Sequence, residues 1–450
     1  MDIKKIKENK LGMIMGFSIP SVIAMLLETI ITITDGYFTG NYVGENALAA
    51  INLGLPILYL FLGIGLCVGV GGSVICGRFL GARQSRKASE VFSQTMVTSF
   101  GVCVLVSLVV FGLFGPILKV LRAEGLLADY FTQYYMIMLF AYPLMVVKTV
   151  FGMFIRADGK PQLCMAVNIA ACLLNMLLDY LLVVVFGLGI RGSAIATLIV
   201  QIVTAAIMSV YFQSNKSGIK FTGFKFDREI NRETMLNGSS EFIGEIASAI
   251  SMFAFNYVLM KYVGAEGVAA FTILGYVVYG YSMICIGFGQ GIMPLVSFCW
   301  GAEEKETASD IRRLTNGILF VVGLVIATVF FLAGRGYAEA FGCSSQVANM
   351  VASGFRVYGI TFLVMGYDMI NSMYFTSCGD ARSSAIISAL RGIVLLLGFT
   401  LVLPAVFGMT GVWMAAPCTE ILTAIVSTGL VLSQSKSLKA TYQPSNSQTI

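Results

Sequence analysis

The stretch NYVGENALAA (41–50) recurs as KYVGAEGVAA (261–270), a shift of 220 residues. Three pairs of glycines repeat at the same shift without a gap: Gly69 and Gly289, Gly71 and Gly291, and Gly81 and Gly301. A polar stretch at 213–233 separates the two copies. The sequence therefore predicts two halves of like structure, although a duplication with a purely structural use would leave the same pattern.

The composition excludes a soluble multidomain enzyme. Of the 450 residues, 57% are apolar and 12% are charged, and the mean hydropathy is +0.84. A typical soluble domain has about 25% charged residues. The chain has no histidine, so the commonest general base and the commonest metal ligand are missing. We expect an all-α polytopic membrane protein that is not an enzyme, needs no cofactor and binds no nucleic acid.

A transmembrane helix needs about 20 consecutive apolar residues. Twelve such stretches, six in each half, are predicted as spans: 12–38, 48–77, 91–118, 128–155, 162–186, 192–213, 236–260, 267–299, 314–334, 346–376, 384–406 and 410–432. Because six is even, both halves enter the membrane from the same side, and their pseudo-twofold axis lies along the membrane normal. Parallel repeats of this type are a transporter architecture, with the substrate path between the halves.

Basic residues alternate between the predicted connections. The side that holds the N-terminus has 21 of the 29 lysines and arginines, the opposite side has 5, and 3 lie inside spans. By the positive-inside rule, both termini are cytoplasmic. The first apolar run is too long for a signal-peptide core, so we expect it to be retained. The expected location is the inner (plasma) membrane of a bacterium, with multiple passes.

The spans also set the predicted domain boundaries. The N-lobe covers 1–212 with spans one to six, and a cytoplasmic linker covers 213–234. The C-lobe covers 235–433 with spans seven to twelve, and a cytoplasmic tail covers 434–450. We expect the protein to act as a monomer in contact with membrane lipid.

Three acids in the N-half have no acidic counterpart in the C-half. At the shift of the repeat, Glu28 corresponds to Ser248, Asp35 to Phe255 and Asp179 to Thr400. A carboxylate in mid-membrane costs about 2.5–3.5 kcal/mol on insertion scales, so each one needs a reason. Residues of the scaffold should persist in both halves, as the glycines do, and the asymmetry therefore favours a function in the N-half.

Helical spacing groups these acids with neighbouring polar residues. Asn175 and Asp179 are four residues apart on one face of the fifth span, and Thr197 lies on the sixth. With Asp35 of the first span they can form one cluster, for which Lys148 is the nearest basic candidate. A buried carboxyl without a basic partner can carry a proton or hold Na⁺. The alternative is a carboxyl kept neutral by one hydrogen bond.

Three segments of the chain carry a family resemblance. The run from Pro20 through TDGYFTGNYVGENALAA (20–50) resembles the first span and following loop of the multidrug and toxic compound extrusion (MATE) family. NMLLDYLLV (175–183) resembles that family's fifth span, and GIRGSAIATLIVQ (189–201) resembles the start of its sixth. The resemblance covers nearly the whole chain. It implies two six-helix lobes that form a V, alternately open to each side. It also implies export of lipophilic, often cationic compounds in exchange for H⁺ or Na⁺.

The chain looks closer to the prokaryotic branch of that family whose ion site lies in the N-lobe. The resemblance places that site at Asp35, Asn175, Asp179 and Thr197, with no metal expected beyond Na⁺ at the two aspartates. One departure is Gly-Ser-Ser at 238–240, where the family usually has Gly-x-Pro.

Further residues are candidates for secondary roles. Another branch has acids in the C-lobe, to which Glu245 and Asp368 could correspond, whereas Glu28 and Asn256 are candidates for the substrate cavity. Pro20 is a candidate hinge in the first span. The alternative function is a flippase for a lipid-linked saccharide, as in sister families. A membrane-embedded enzyme or a passive channel fits the sequence less well.

Overall fold

A computed structural model describes residues 1–442, except for the side chains at 249, 252, 253, 256, 265, 437 and 439–442. The described residues form helices and connections, without a strand. The helices are α1 (Ile3–Glu8), α2 (Lys10–Tyr42), α3 (Glu45–Leu53), α4 (Leu55–Gly81), α5 (Ser85–Gly112), α6 (Phe114–Val120), α7 (Gly125–Ala157), α8 (Pro161–Asp179), α9 (Ile190–Gln213), α10 (Arg228–Tyr262), α11 (Ala265–Gly301), α12 (Lys305–Glu339), α13 (Ser345–Cys378), α14 (Ala381–Ala389) and α15 (Leu395–Tyr442). Two π-helical segments, Tyr180–Val185 and Leu390–Val394, follow α8 and α14.

Ten helical stretches of the described chain are long and apolar enough to cross a membrane. Helix α10 is not among them, and the stretch Ala381–Lys436 counts once although Gly408, at φ 56°, interrupts its helical backbone. Six of the ten lie before the linker. The predicted second and third spans each divide, into α3 with α4 and into α5 with α6. The two π-helical segments fall inside the predicted fifth and eleventh spans.

The turns between helices repeat together with the sequence. Residues with left-handed φ recur at the shift of 220 in four pairs: Gly44 and Gly264, Arg83 and Glu303, Arg122 and Gly342, and Gly159 and Gly379. In the second pair the next residue closes the helix end, because Gln84 N donates to Phe79 O at 2.8 Å and Glu304 N donates to Cys299 O at 2.9 Å. The two halves therefore end corresponding helices by the same backbone geometry.

The chain divides into two compact units, the first formed by 1–249, 283–313 and 376–381 and the second by the remaining residues. These units do not test the lobe boundaries predicted from the sequence, which stay a prediction. In the first unit α7 is the central helix, packed against α4, α5 and α9. The core of the second unit includes Phe255, which stacks on Phe271 at 4.8 Å between ring centroids.

Reciprocal glycine contacts join α4 to α11 within the first unit. A methyl group on Gly81 would collide with the carbonyl oxygen of Phe298, and one on Gly301 would collide with that of Arg78. At the shift of 220, Gly81 corresponds to Gly301 and Arg78 to Phe298. Each copy of the repeat therefore makes the same contact on the other, as twofold-related elements do.

Three ion pairs in the first unit join residues that the sequence predicts on the cytoplasmic side. They are Lys7 with Glu304 at 2.6 Å, Lys10 with Asp310 at 2.5 Å, and Arg78 with Glu233. Every pair unites two connections that the positive-inside pattern assigns to one side of the membrane. The orientation of the termini stays a prediction.

Candidate cation site

The polar face of α8 is the centre of the candidate site. Asn168, Asn175 and Asp179 lie along one side of this helix and are almost fully buried. Both carboxylate oxygens of Asp179 and both side-chain polar atoms of Asn175 are buried without a hydrogen-bond partner among the described residues. Buried polar atoms are normally paired, so the unpaired atoms on this face make it a candidate binding site.

Helix α2 brings the second carboxyl to this face. It packs along α8, and the carboxyl of Asp35 lies close enough to the side chains of Asp179 and Asn175 to interact with both. Thr39, one turn after Asp35, is also buried, and its hydroxyl has no partner in the described structure. The structure thus brings together three of the four predicted site residues.

Helix α9 carries a third row of polar side chains. Ser193, Thr197 and Gln201 are four residues apart and so share one face, and each has a buried oxygen without a hydrogen bond to any described residue. Since α9 packs against both α8 and α2, this row belongs to the same helix group. Thr204, two turns after Thr197 on the same side of α9, differs because its hydroxyl donates to Val200 O at 2.7 Å.

No basic side chain among the described residues pairs with the two aspartates. Lys148, the nearest basic candidate from the sequence, instead donates to Glu28 at 3.2 Å. Its side chain is 8% exposed, whereas that of Glu28 is 45% exposed. Glu28 therefore has an ion-pair role, and no ion pair joins Asp35 or Asp179 to a basic side chain among the described residues.

Sequence analysis did not identify Tyr134 of α7. This tyrosine is buried and interacts electrostatically with both Asp35 and Asp179. Its ring lies 5.2 Å from that of Tyr135, whose hydroxyl donates to Ile51 O at 2.7 Å. Adjacent tyrosines in an apolar span are common packing residues, so the sequence offers no signal that separates one from the other.

The chemistry of this cluster suits a hard monovalent cation or a proton. Carboxylate, amide and hydroxyl oxygens are the ligands that hard cations prefer. The part of the chain that the structure describes has no group of three or more His, Cys, Asp and Glu residues that could hold a metal ion. Two carboxyls with neutral oxygen donors can instead hold one Na⁺ or share protons.

The acids of the C-half have a different environment. In the second unit, Arg391 binds both carboxylate oxygens of Glu420, at 2.9 and 3.1 Å. Asp368 is fully buried and interacts electrostatically with both residues. Thr400, the counterpart of Asp179, is also buried, and its hydroxyl has no partner among the described residues.

The remaining candidates do not join the cluster. Glu245 belongs to α10 in the first unit, and Asp368 belongs to the second unit. Asn256 lies in α10, but its side chain is outside the described part of the structure. Pro20 lies inside α2 without ending it. Two residues before it, Ser18 packs closely against Gly291 of α11. A hinge at Pro20 stays a prediction.

Comparison with known proteins agrees with the repeat and the fold. The family model of MatE matches the chain twice, at 20–181 and 242–402. The chain is 26% identical to the Multidrug export protein MepA of Staphylococcus aureus (strain MSSA476) over 417 residues, which cover 92% of this chain and 91% of that protein.

Solved structures share the fold. An outward-facing multidrug resistance MATE family transporter of the MOP superfamily has a TM-score of 0.89 at 22% identity, covering 95% of this chain and 96% of that one. A MOP superfamily transporter from Pyrococcus furiosus, whose reverse polarity of binding pocket suggests a different function, has a TM-score of 0.88 at 23% identity, with the same coverage. The predicted fold class, twelve transmembrane helices in two six-helix lobes, is confirmed.

Proposed function

Since the chain belongs to the MatE family, we propose that it is a secondary active antiporter that exports lipophilic, cationic compounds in exchange for H⁺ or Na⁺. The observation that carries this proposal is the closeness of half-buried Asp35 to buried Asp179, with polar oxygen neighbours and no basic partner among the described residues. The similarity to MepA, a multidrug export protein, supports export as the direction and drugs as the substrates.

The proposed coupling follows from charge. Two ionised carboxyls in a low-dielectric site are unfavourable, so they bind protons or Na⁺ from the side where these are abundant. We propose that Thr197 and Asn175 complete the site with neutral oxygens. Ion and cationic substrate favour different conformations, and that difference in binding free energy drives the exchange.

Helix α2 is the element that can transmit the change. It carries both Asp35 and Pro20, and a proline inside a helix removes one backbone hydrogen bond. We propose that neutralisation of Asp35 changes the bend of α2 at Pro20. The protein would act as a monomer in a bacterial plasma membrane with both termini in the cytoplasm, and we expect no enzymatic activity.

Transport in liposomes tests the proposal. The purified protein is reconstituted in vesicles loaded with a fluorescent cationic dye, and a pH gradient and a Na⁺ gradient are imposed in separate experiments. We expect one gradient to drive dye movement in the wild type, and Asp35→Asn and Asp179→Asn each to abolish it. Asp129→Asn changes an exposed acid at the start of α7 and should transport normally.

The other outcomes separate the parts of the proposal. Normal gradient-driven transport in both site variants would place the coupling elsewhere, with Glu245 and Asp368 as the next targets. Absence of dye movement under both gradients would contradict cation export, and lipid-linked saccharides would then be tested, because flippases are the alternative class.

A further inference from the structure

The segment between α9 and α10 has no helix from 214 to 227, yet hydrogen bonds fix it along α5. Lys220 N donates to Ser89 Oγ at 3.2 Å, and Thr222 N donates to Ser93 Oγ at 2.8 Å. Farther on, the side-chain amide of Gln94 forms two bonds with the backbone of Asp227, at 2.8 and 3.2 Å. The path of the linker over α5 is therefore defined by side chains of α5.

Two further anchors hold the start of this segment. Asp158, after α7, accepts hydrogen bonds from Ser217 Oγ at 2.9 Å and from Gly218 N at 3.2 Å. The ring of Phe221 lies 4.8 Å from that of Phe92 of α5, within a cluster of aromatic rings. These contacts hold the backbone of the segment without the exposed side chains of Phe224, Lys225, Phe226 and Arg228.

Those outward side chains are aromatic and basic. Phe224 is 54% exposed and Phe226 is 57% exposed, and neither stacks on a ring among the described residues. Lys220, Lys225 and Arg228 are exposed beside them. Two acids lie nearby: the carboxylate of Asp227 caps α10 by accepting from Glu229 N at 2.9 Å, and Glu229 itself is exposed. The exposed face is therefore net basic.

The register on α5 gives the depth of this face. Helix α5 is charged at Arg86, Lys87 and Glu90 and has no charged residue from Val91 onward, where it is mainly apolar with some neutral polar residues. Gln94, which binds Asp227, lies about 12 Å along the helix axis from Arg86, at 1.5 Å per residue. The two phenylalanines precede Asp227, so they stand where α5 changes from charged to apolar, as residues at a membrane–water interface do.

From these observations we infer that the exposed face of residues 220–228 binds anionic phospholipid at the membrane surface. Phe224 and Phe226 insert at the boundary of the acyl chains, and Lys220, Lys225 and Arg228 contact the headgroup phosphates. The phenylalanine rings suit the boundary of the acyl chains, and the basic side chains suit the layer of headgroup phosphates. One fixed segment presents both. The attraction to each basic residue depends on the negative surface potential of the lipid.

Lipid-specific quenching tests this inference on the full-length protein. Phe226→Trp introduces a reporter, and the signal of the parent protein, which has Trp300 and Trp413, is subtracted. The variant is reconstituted in two vesicle preparations, which contain phosphatidylglycerol and phosphatidylcholine in the same proportions. In one, phosphatidylglycerol carries brominated acyl chains, and in the other phosphatidylcholine does, so only the identity of the quenching lipid differs.

We expect brominated phosphatidylglycerol to quench this tryptophan about twofold more than brominated phosphatidylcholine. Lys220→Gln with Lys225→Gln should equalise the two lipids while keeping quenching by both. Lys119→Gln, on the connection predicted at the opposite membrane surface, should leave the preference intact. Phe224→Trp provides a second reporter if the first variant does not fold.

Two results would overturn the inference. Equal quenching by both lipids in the parent reporter would remove the anionic preference. Absence of quenching by either lipid, with emission typical of water, would place the segment in solvent or on a protein partner. Both results are independent of drug transport, so they leave the proposed antiport untouched.

Discussion

The two halves of the molecule share a backbone plan but differ in how they treat buried acid. In the N-half, Asp35 and Asp179 lie close together with no basic partner among the described residues. In the C-half, Glu420 is bound through both oxygens by Arg391, with Asp368 nearby. The first cluster has no basic countercharge among the described residues, whereas the second includes Arg391.

This difference teaches where a function can be sought in a duplicated protein. The glycines and left-handed turns that recur at 220 residues maintain the shared scaffold. Positions at which the two halves differ are not needed for that shared scaffold. A cluster with an internal ion pair is suited to holding helices together, and one without is suited to binding a mobile ion.

Asn175→Lys should have the largest effect, because it gives the N-half its own countercharge. An ammonium beside Asp35 and Asp179 repels an incoming cation, and like charges in contact cost several kcal/mol, so we expect the affinity for the coupling ion to fall at least about a hundredfold. The measurement is the ion concentration for half-maximal dye transport in liposomes. Asn41→Lys, at an exposed position near the end of α2, is the control. An unchanged half-maximal ion concentration in Asn175→Lys would show that ion binding does not depend on the lack of a countercharge in the N-half.

Arg391→Met should reduce stability rather than coupling. It leaves the buried carboxyl of Glu420 without its bidentate partner, which destabilises by about 3 kcal/mol. Thermal unfolding in detergent measures the loss, and Arg391→Met with Glu420→Gln should recover much of it. Arg356→Met, an exposed arginine of α13, should unfold like the wild type. An unchanged unfolding temperature in Arg391→Met would mean that this ion pair is not structural.

Gly81→Ala and Gly301→Ala should lower stability by similar amounts, since their contacts correspond across the repeat. Each added methyl group meets a backbone carbonyl and forces α4 and α11 apart, at a cost of about 1–3 kcal/mol. Thermal unfolding compares the two, with Gly101→Ala as the control because nothing lies within 4 Å of an added methyl group there. A loss confined to one variant would show that the two contacts are not equivalent.

Thr197→Val should give the smallest effect. It removes one neutral oxygen from the proposed ion site, and a single such interaction is worth about 1 kcal/mol, or roughly fivefold in ion affinity. The half-maximal ion concentration for transport measures it. Thr204→Val is a matched control on the same helix, because that hydroxyl is already bonded to Val200 O. Equal shifts in both variants would remove Thr197 from the site.

Local periodicity explains why the sequence could group most residues of the candidate site, whose function stays a prediction. Asn175 and Asp179 share a helical face whatever the tertiary structure, and the missing acids at 248, 255 and 400 separate Asp35 and Asp179 from the scaffold. The membrane spans can be predicted for the same reason, since the length of an apolar stretch is a local property of the sequence.

Contacts between distant helices could not be predicted in this way. Lys148 with Glu28 and Arg391 with Glu420 depend on how helices rotate against each other, which no spacing within one helix fixes. Tyr134 also joins the acids through tertiary packing alone. The π-helical segment that directly follows Asp179 could not be predicted either, because the periodicity argument assumes 3.6 residues per turn.

Thr400 at the position of Asp179 has a genetic consequence. A homodimer of identical half-chains encoded by one gene would carry every substitution in both subunits, and an aspartate in one would stand in the other. Two halves with separate codons can accept an acid in one copy and a hydroxyl in its counterpart. Because the two halves lie in one reading frame, the chemistry of one half can differ from that of the other without loss of the shared scaffold.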